Sequence, residues 1–104
     1  MRILRLFRSL PKSSDAQILG KQLLRSGTSV GANYRAAGRS RSKAEFIARI
    51  GIVVEEADET VFWLELLHEG GIVKPERLQE LIQEANELAA IFASAHQTAK
   101  GSRR

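Results

Sequence analysis

"SKAEFIARIGIVVEEADETVFWLELLHEGG", residues 42–71, is the stretch that decides the fold. Its apolar residues recur at steps of three and four, the spacing that places side chains on one face of an α-helix. Ser42 and Glu45 form a capping-box pattern at the start, and the Gly70–Gly71 pair is typical of a helix C-terminus. The stretch therefore predicts a long helix over residues 43–69.

The segments on either side of this stretch predict three more helices. Ser14 and Gln17 form a second capping-box pattern before apolar residues at helical spacing, and Pro75 stands where a first helical residue belongs. No segment alternates apolar and polar residues long enough to predict a strand. The predicted helices cover residues 2–9, 15–37, 43–69 and 75–99. We expect an all-α, antiparallel up-down four-helix bundle in a single domain, residues 1–104.

The first predicted helix is too short for a closed bundle. At ~1.5 Å per residue it spans only ~12 Å, whereas the other three span roughly 35–40 Å each. Either a longer helix has lost its beginning, with Met1 inside it, or a neighbouring chain fills the gap. The third helix also carries apolar residues outside its main stripe, at Ile52, Phe62 and Trp63. A helix apolar on more than one face usually buries more than one face, which predicts a homo-oligomer.

Composition excludes several classes of protein. The chain has no cysteine, so it has neither a disulfide framework nor a thiolate metal site. No apolar run approaches the ~18 residues that a membrane span needs. The N-terminal residues lack the apolar core and cleavage site of a signal peptide. The expectation is a cytoplasmic protein that does not enter a membrane.

Charge is divided unevenly along the chain. Residues 2–49 carry eleven Lys or Arg against two acidic residues, and residues 50–87 carry ten Asp or Glu against two basic residues. One interpretation is that basic and acidic helices pair within the bundle. The other is that the basic half meets nucleic acid or an acidic partner. The second interpretation rests on seven cations, which are Lys21, Arg25, Arg35, Arg39, Arg41, Lys43 and Arg49. Four of them, Arg35, Arg39, Arg41 and Lys43 at the turn between the second and third helices, are the predicted nucleic-acid-binding residues. Tyr34 is the only nearby side chain able to stack on a base.

Three polar residues are predicted to have structural roles. We expect Asn33 to bond a backbone or carboxylate partner inside the bundle, because buried amides are usually paired. Glu56 and Glu59 are expected near Asn33 or Arg35. If the basic half is used internally, the expected pairs join Arg25, Arg35 and Arg49 to Glu55, Glu56 and Glu59. Gly27 and Gly31 each cost about 1 kcal/mol in a helix relative to alanine, so we expect each to allow a close helix approach.

No catalytic or metal site is predicted. Glu65 and His68 form one Glu-x-x-His pair, but a di-iron bundle needs a second pair, and the other histidine, His96, lacks the glutamate. No cofactor motif is present. A small helical enzyme of the chorismate mutase kind, binding a dicarboxylate through Arg25, Arg35 and Arg49, remains an alternative to a non-enzymatic protein.

Several motifs of the chain occur together in one known family. They are a small-residue helix ending Ser-x-x-x-Asn, a basic turn, Ser-Lys-x-Glu-Phe, an acidic segment with one tryptophan, and a Gly-Ile-Val hinge. The residues concerned are Ser29, Asn33, Arg39, Arg41, Ser42, Lys43, Glu45, Phe46, Glu55, Glu56, Glu59, Trp63, Leu67 and Gly71 to Val73. In these the chain resembles the four-helix-bundle proteins named after 23S ribosomal RNA intervening sequences.

The resemblance implies an up-down bundle that assembles as a ring, typically a homopentamer. A related branch acts as the accessory protein of diversity-generating retroelements, which implies binding to RNA or single-stranded DNA and to a reverse-transcriptase-type protein. Members carry a longer first helix, which agrees with the length mismatch. The alternative is a self-assembling protein whose charges serve only its own structure.

Overall fold

The computed structural model describes residues 2–101 and contains four α-helices. They are α1 (Arg2–Ser9), α2 (Ser14–Ala37), α3 (Lys43–Glu69) and α4 (Pro75–Gly101). No strand occurs within these hundred residues. The predicted all-α class and the four helices are confirmed, although α2 begins one residue earlier and α4 ends two residues later than expected. Met1, which the sequence suggested lies inside a longer helix, and residues 102–104 fall outside the described part.

The helices form an elongated antiparallel bundle of 50 × 20 × 18 Å. α3 packs against both α2 and α4, and α1 packs against α2. Arg2 of α1 also pairs with Glu84 of α4, so α1 lies between α2 and α4, across the bundle from α3. No helix between residues 2 and 101 is both long and apolar enough to cross a membrane.

The main apolar core lies at the end of the bundle that α1 covers. Leu23, Leu64 and Leu78, from three different helices, are completely buried there. Burying one such side chain stabilises the fold by about 1.5–3 kcal/mol. The buried members of this core are Leu6, Leu10, Ala16, Leu23, Leu64, Leu67, Val73, Leu78 and Leu81. The apolar stripes predicted for α3 and α4 supply four of them.

Both ends of α3 carry the predicted caps. Ser42 Oγ accepts a hydrogen bond from the Glu45 backbone N–H at 3.0 Å. At the other end, the N–H groups of Gly71 and Ile72 donate to the carbonyl oxygens of His68 and Leu67. This is a Schellman arrangement, in which the residue after the cap takes a left-handed conformation. Gly71 does so, with φ of +67°.

The capping box predicted at Ser14 is absent. α2 begins at Ser14 itself, and Ser13 precedes it as the N-cap without a side-chain cap bond. Because Ser14 already has helical geometry, its hydroxyl is displaced from the position that receives the first free amides. Gln17 instead donates its amide to the Pro11 carbonyl oxygen at 3.0 Å, which fixes the chain entering the helix.

α1 covers only part of the space between α2 and α4. Beyond Ile3 an apolar groove of about 250 Å³ continues between the two long helices, with Val30, Gly31, Leu88 and Phe92 among its lining residues. A Cβ at Gly27 would lie 2.8 Å from Ile3 Cδ1, so the close approach predicted there is confirmed. A Cβ at Gly31 would meet nothing within 4 Å, and the close approach predicted there is wrong within residues 2–101.

Candidate nucleic-acid interface

Four arginines converge where α2 turns into α3. Arg35, Arg39, Arg41 and Arg49 line an open depression of about 760 Å³. Ala32, Ala36 and Glu45 complete the lining. We call this site the basic depression.

Helical spacing explains the convergence. Ala32, Arg35 and Ala36 stand at positions i, i+3 and i+4, which share one face at the end of α2, and Arg39 follows in the turn after the helix ends at Ala37. Two short alanine side chains between two arginines leave the hollow. The turn then reverses the chain, so Arg41 and the first turns of α3 border the same hollow from the other side.

The three arginines of the turn differ from Arg49 in their partners. Arg49 Nε lies 3.4 Å from Glu45 Oε1, four residues earlier on α3. Arg35, Arg39 and Arg41 are exposed and form no ion pair with any residue from 2 to 101. Three guanidinium groups therefore face solvent in one hollow, each able to donate paired hydrogen bonds to an anion.

The fourth predicted binding residue, Lys43, lies apart from the three arginines of the turn. Lys43 is exposed at the start of α3 but does not line the basic depression. Arg49, which the sequence grouped with the cations favouring nucleic-acid binding but not with the four predicted binding residues, does line it. The missed signal was the Glu45–Arg49 spacing of four residues, which places Arg49 one turn above Glu45 on the same face of α3.

Tyr34 lies on another face of α2. Its ring contacts Phe92 of α4, with ring centroids 5.5 Å apart. One residue advances a helix by about 100°, so Tyr34 points away from the hollow that its neighbour Arg35 lines. No aromatic side chain lines the basic depression. Base stacking by Tyr34 beside these arginines, which the sequence suggested, is therefore not available.

Glu56 and Glu59 pair with Arg25, which is one of the expected partners, and not with Asn33 or Arg35. Arg25 Nη1 lies 3.3 Å from Glu56 Oε2, and Nη2 lies 2.6 Å from Glu59 Oε1. The antiparallel register explains the difference, because Thr60 Oγ1 bonds Ser26 Oγ at 3.0 Å between the same helices. That pairing places Arg25 level with both glutamates.

This ion-pair cluster shifts two pKa values. The hydrogen bond from Arg25 is the largest cause that lowers the pKa of Glu59 below its ordinary value. The same bond is the largest cause that raises the pKa of Arg25. Both shifts favour the charged forms, so the cluster links α2 to α3 at neutral pH.

Asn33 finds its partner within α2. Its Nδ2 donates to the Ser29 carbonyl oxygen at 2.9 Å and lies 3.0 Å from Ser29 Oγ. The expected backbone partner is confirmed, and it is one turn away on the same helix. The Ser-x-x-x-Asn motif therefore satisfies itself locally.

The residues of the alternative enzyme site do not come together. Arg25 is held by Glu56 and Glu59, whereas Arg35 and Arg49 lie in the basic depression. His96 packs against Gly51, with Nε2 3.3 Å from the position a Cβ would take. No group of three or more potential metal-binding side chains occurs among the residues the structure describes.

Comparisons with known proteins agree with this architecture. The family described as "23S rRNA-intervening sequence protein" matches residues 1–94. A crystal structure of a protein with unknown function from the S23 ribosomal protein family of Bacteroides thetaiotaomicron VPI-5482 is 36% identical, with a TM-score of 0.84. The match covers 91% of this chain and 88% of that one. A comparison with curated proteins gives no significant match. The chain belongs to the family of 23S rRNA-intervening sequence proteins.

Proposed function

We propose that this chain is a non-enzymatic binding module that grips the phosphate backbone of RNA or single-stranded DNA. The observation that carries the proposal is the convergence of Arg35, Arg39 and Arg41 in one exposed hollow without ion-pair partners among residues 2–101. Guanidinium groups match phosphate oxygens in a paired geometry. Lys43 adds a cation at the nearby start of α3.

The proposed contacts depend on the charge of the nucleic-acid backbone and not on the base sequence. Phosphate contacts position a protein on nucleic acid, whereas base contacts specify the sequence. The lining offers guanidinium groups and alanines, and no aromatic side chain on which a base would stack. We therefore expect little dependence on base identity and strong dependence on salt.

Self-assembly is the second part of the proposal. Ile52 and Phe62 of α3 are 42% and 51% exposed, and Leu88 and Ile91 of α4 are 50% and 60% exposed. Large apolar side chains left in solvent on two helices favour contact with further copies. The resemblance implies a homopentamer and a reverse-transcriptase-type partner. A ring would repeat the basic depression once per subunit and strengthen a weak contact through multivalency.

A purely structural, self-assembling protein is the alternative function. It is favoured by the part of the positive charge that is used internally, since Arg25 pairs with Glu56 and Glu59 and Arg2 pairs with Glu84. The two functions differ at the basic depression. A structural protein has no use for an anion there.

The test is a fluorescence-anisotropy titration with mixed-sequence RNA and single-stranded DNA over a salt series. The parent is expected to bind. A plot of log K against log salt concentration should have a slope of about −0.7 for each phosphate contacted. Replacing Arg35, Arg39 and Arg41 by Gln should abolish binding and leave the helical circular dichroism spectrum unchanged.

The matched control replaces Arg5, Arg8 and Lys12 by Gln. These three exposed cations lie on α1 and in the turn that leads into α2, so the control variant loses the same formal charge away from the basic depression. The control should retain most of the affinity. If the parent does not bind at low salt, or both triple variants lose affinity equally, the structural alternative is the better account.

A further inference from the structure

One acidic side chain lies inside the basic depression. Glu45 is the only acidic residue in its lining, and its side chain is 37% exposed. Its Oε1 faces Arg49 Nε at 3.4 Å. The Ser42 cap uses the Glu45 backbone N–H and not its carboxylate. The carboxylate is therefore not required for the cap bond that begins α3.

This carboxylate opposes an anion in two ways. It occupies Arg49, the one arginine of the depression with a partner, and it places negative charge where phosphates would lie. The pair is weak, because exposed ion pairs four residues apart on a helix contribute little to stability. A phosphate held in place nearby is able to displace it.

We propose that Glu45 is an internal competitor that restrains anion binding and makes the basic depression selective for chains of phosphates. This inference rests on the proposed function. Arg35, Arg39 and Arg41 hold one phosphate, and the backbone then presents the next phosphate to Arg49 at high effective concentration. A single phosphate ion has no such tether and meets Arg49 already paired with Glu45.

Glu45→Gln tests the proposal directly. The variant keeps the size of the side chain and removes one negative charge from the depression. At a separation of about 6 Å in a water-like dielectric, removing that charge should tighten binding of a mixed-sequence single-stranded RNA roughly threefold at low salt. Because Arg49 is then free to contact one more phosphate, the slope of log K against log salt concentration should also become steeper by about 0.7.

Glu65→Gln is the matched control. Glu65 is exposed on the same helix, twenty residues away, which corresponds to about 30 Å. It makes the same change in net charge, so a general electrostatic effect would appear equally in both variants. We expect Glu65→Gln to change the affinity less than twofold, because the Coulomb interaction at about 30 Å is about five times weaker than at about 6 Å.

Arg49→Gln shows whether the gain acts through Arg49. The substitution should weaken RNA binding more in the Glu45→Gln background than in the parent, because Arg49 is unrestrained there. Inorganic phosphate is the second probe. It should compete with RNA at lower concentration in Glu45→Gln than in the parent, since a lone phosphate then finds Arg49 free.

The outcomes separate this inference from the proposed function. If the parent binds RNA and loses binding without Arg35, Arg39 and Arg41, but Glu45→Gln behaves like Glu65→Gln, only the role of Glu45 is overturned. A gain that persists in full without Arg49 shows that only the negative charge of Glu45 matters, and it overturns the proposed competition for Arg49. If neither the parent nor Glu45→Gln binds at low salt, both proposals fall. Circular dichroism establishes that Glu45→Gln is folded, and Glu45→Ala provides a second variant if it is not.

Discussion

At the scale of single residues, glycines that look equivalent in the sequence have different surroundings in the structure. Gly27 lies against Ile3, whereas Gly31, one turn further along α2, borders the open apolar groove. Gly71 takes the left-handed conformation that ends α3. The substitution of each by alanine therefore has a different physical consequence, although periodicity alone treats the two glycines of α2 alike.

Gly31→Ala should stabilise the protein. Alanine favours a helix interior over glycine by about 0.5–1 kcal/mol, and the added Cβ meets nothing within 4 Å. Gly71→Ala is the opposite case and should destabilise by about 1 kcal/mol, because a left-handed residue with a Cβ is strained. Urea unfolding of both variants measures the difference. A destabilising Gly31→Ala would indicate a neighbour that fills the groove in solution.

At the scale of helices, α2 and α3 both begin at serines but differ in how their N-termini are capped. Ser42 accepts the Glu45 N–H, whereas Ser14 lies inside the first turn of α2. Ser42→Ala should lower the free energy of unfolding by about 1 kcal/mol, as loss of an N-cap does. Ser14→Ala should change it by only a few tenths, since Ser14 is not the cap. Equal losses in urea unfolding would contradict the helix start seen here.

The α2–α3 contact should make stability depend on pH. The pKa of Glu59 lies below its ordinary value of 4.5, chiefly because of the bond from Arg25. A lowered pKa means that the ionised carboxylate stabilises the folded state. This contribution is fully present above pH 4.5 and is lost as the pH falls through the pKa of the folded state. Glu59→Gln should therefore be less stable than the parent at pH 7, and the difference should shrink towards pH 3. A difference independent of pH would show that the charge of Glu59 is not responsible.

Periodicity and turn chemistry predicted the helices because both are local. The stripe of α3, the Ser42 cap and the glycines after Glu69 all lie within a few residues of the structure they determine. The sequence left the partner of Glu56 and Glu59 open among Asn33, Arg25 and Arg35, because the choice depends on the register between α2 and α3. That register is set by distant contacts such as Ser26 with Thr60.

At the scale of the whole molecule, the arginines of the basic half have two different environments. Arg25 and Arg2 of the basic half pair with glutamates of the acidic half. The arginines of the turn between α2 and α3 form no such pairs within residues 2–101. The first interpretation of the charge pattern therefore holds for Arg2 and Arg25, and the second remains a proposal for the arginines of the turn, which line one depression together.

The exposed apolar residues permit a decisive test of ring assembly. A ring is built from two different surfaces of each subunit, so one patch of a copy contacts the other patch of the next. Ile52 and Phe62 on α3 and Leu88 and Ile91 on α4 are the two candidate patches. Replacing either pair by Ser should give a monomer in light scattering at micromolar concentration, with the helical spectrum retained.

Mixing the two double variants then distinguishes a ring from a two-fold dimer. Each variant keeps one intact patch, so an equimolar mixture should form a one-to-one heterodimer and stop, because the remaining surfaces are both damaged. Neither variant alone should dimerise. In a dimer built on the α3 patch alone, the α4 variant would stay dimeric by itself. Mass photometry of the separate and mixed variants would record that result, and it would rule out the ring proposed here.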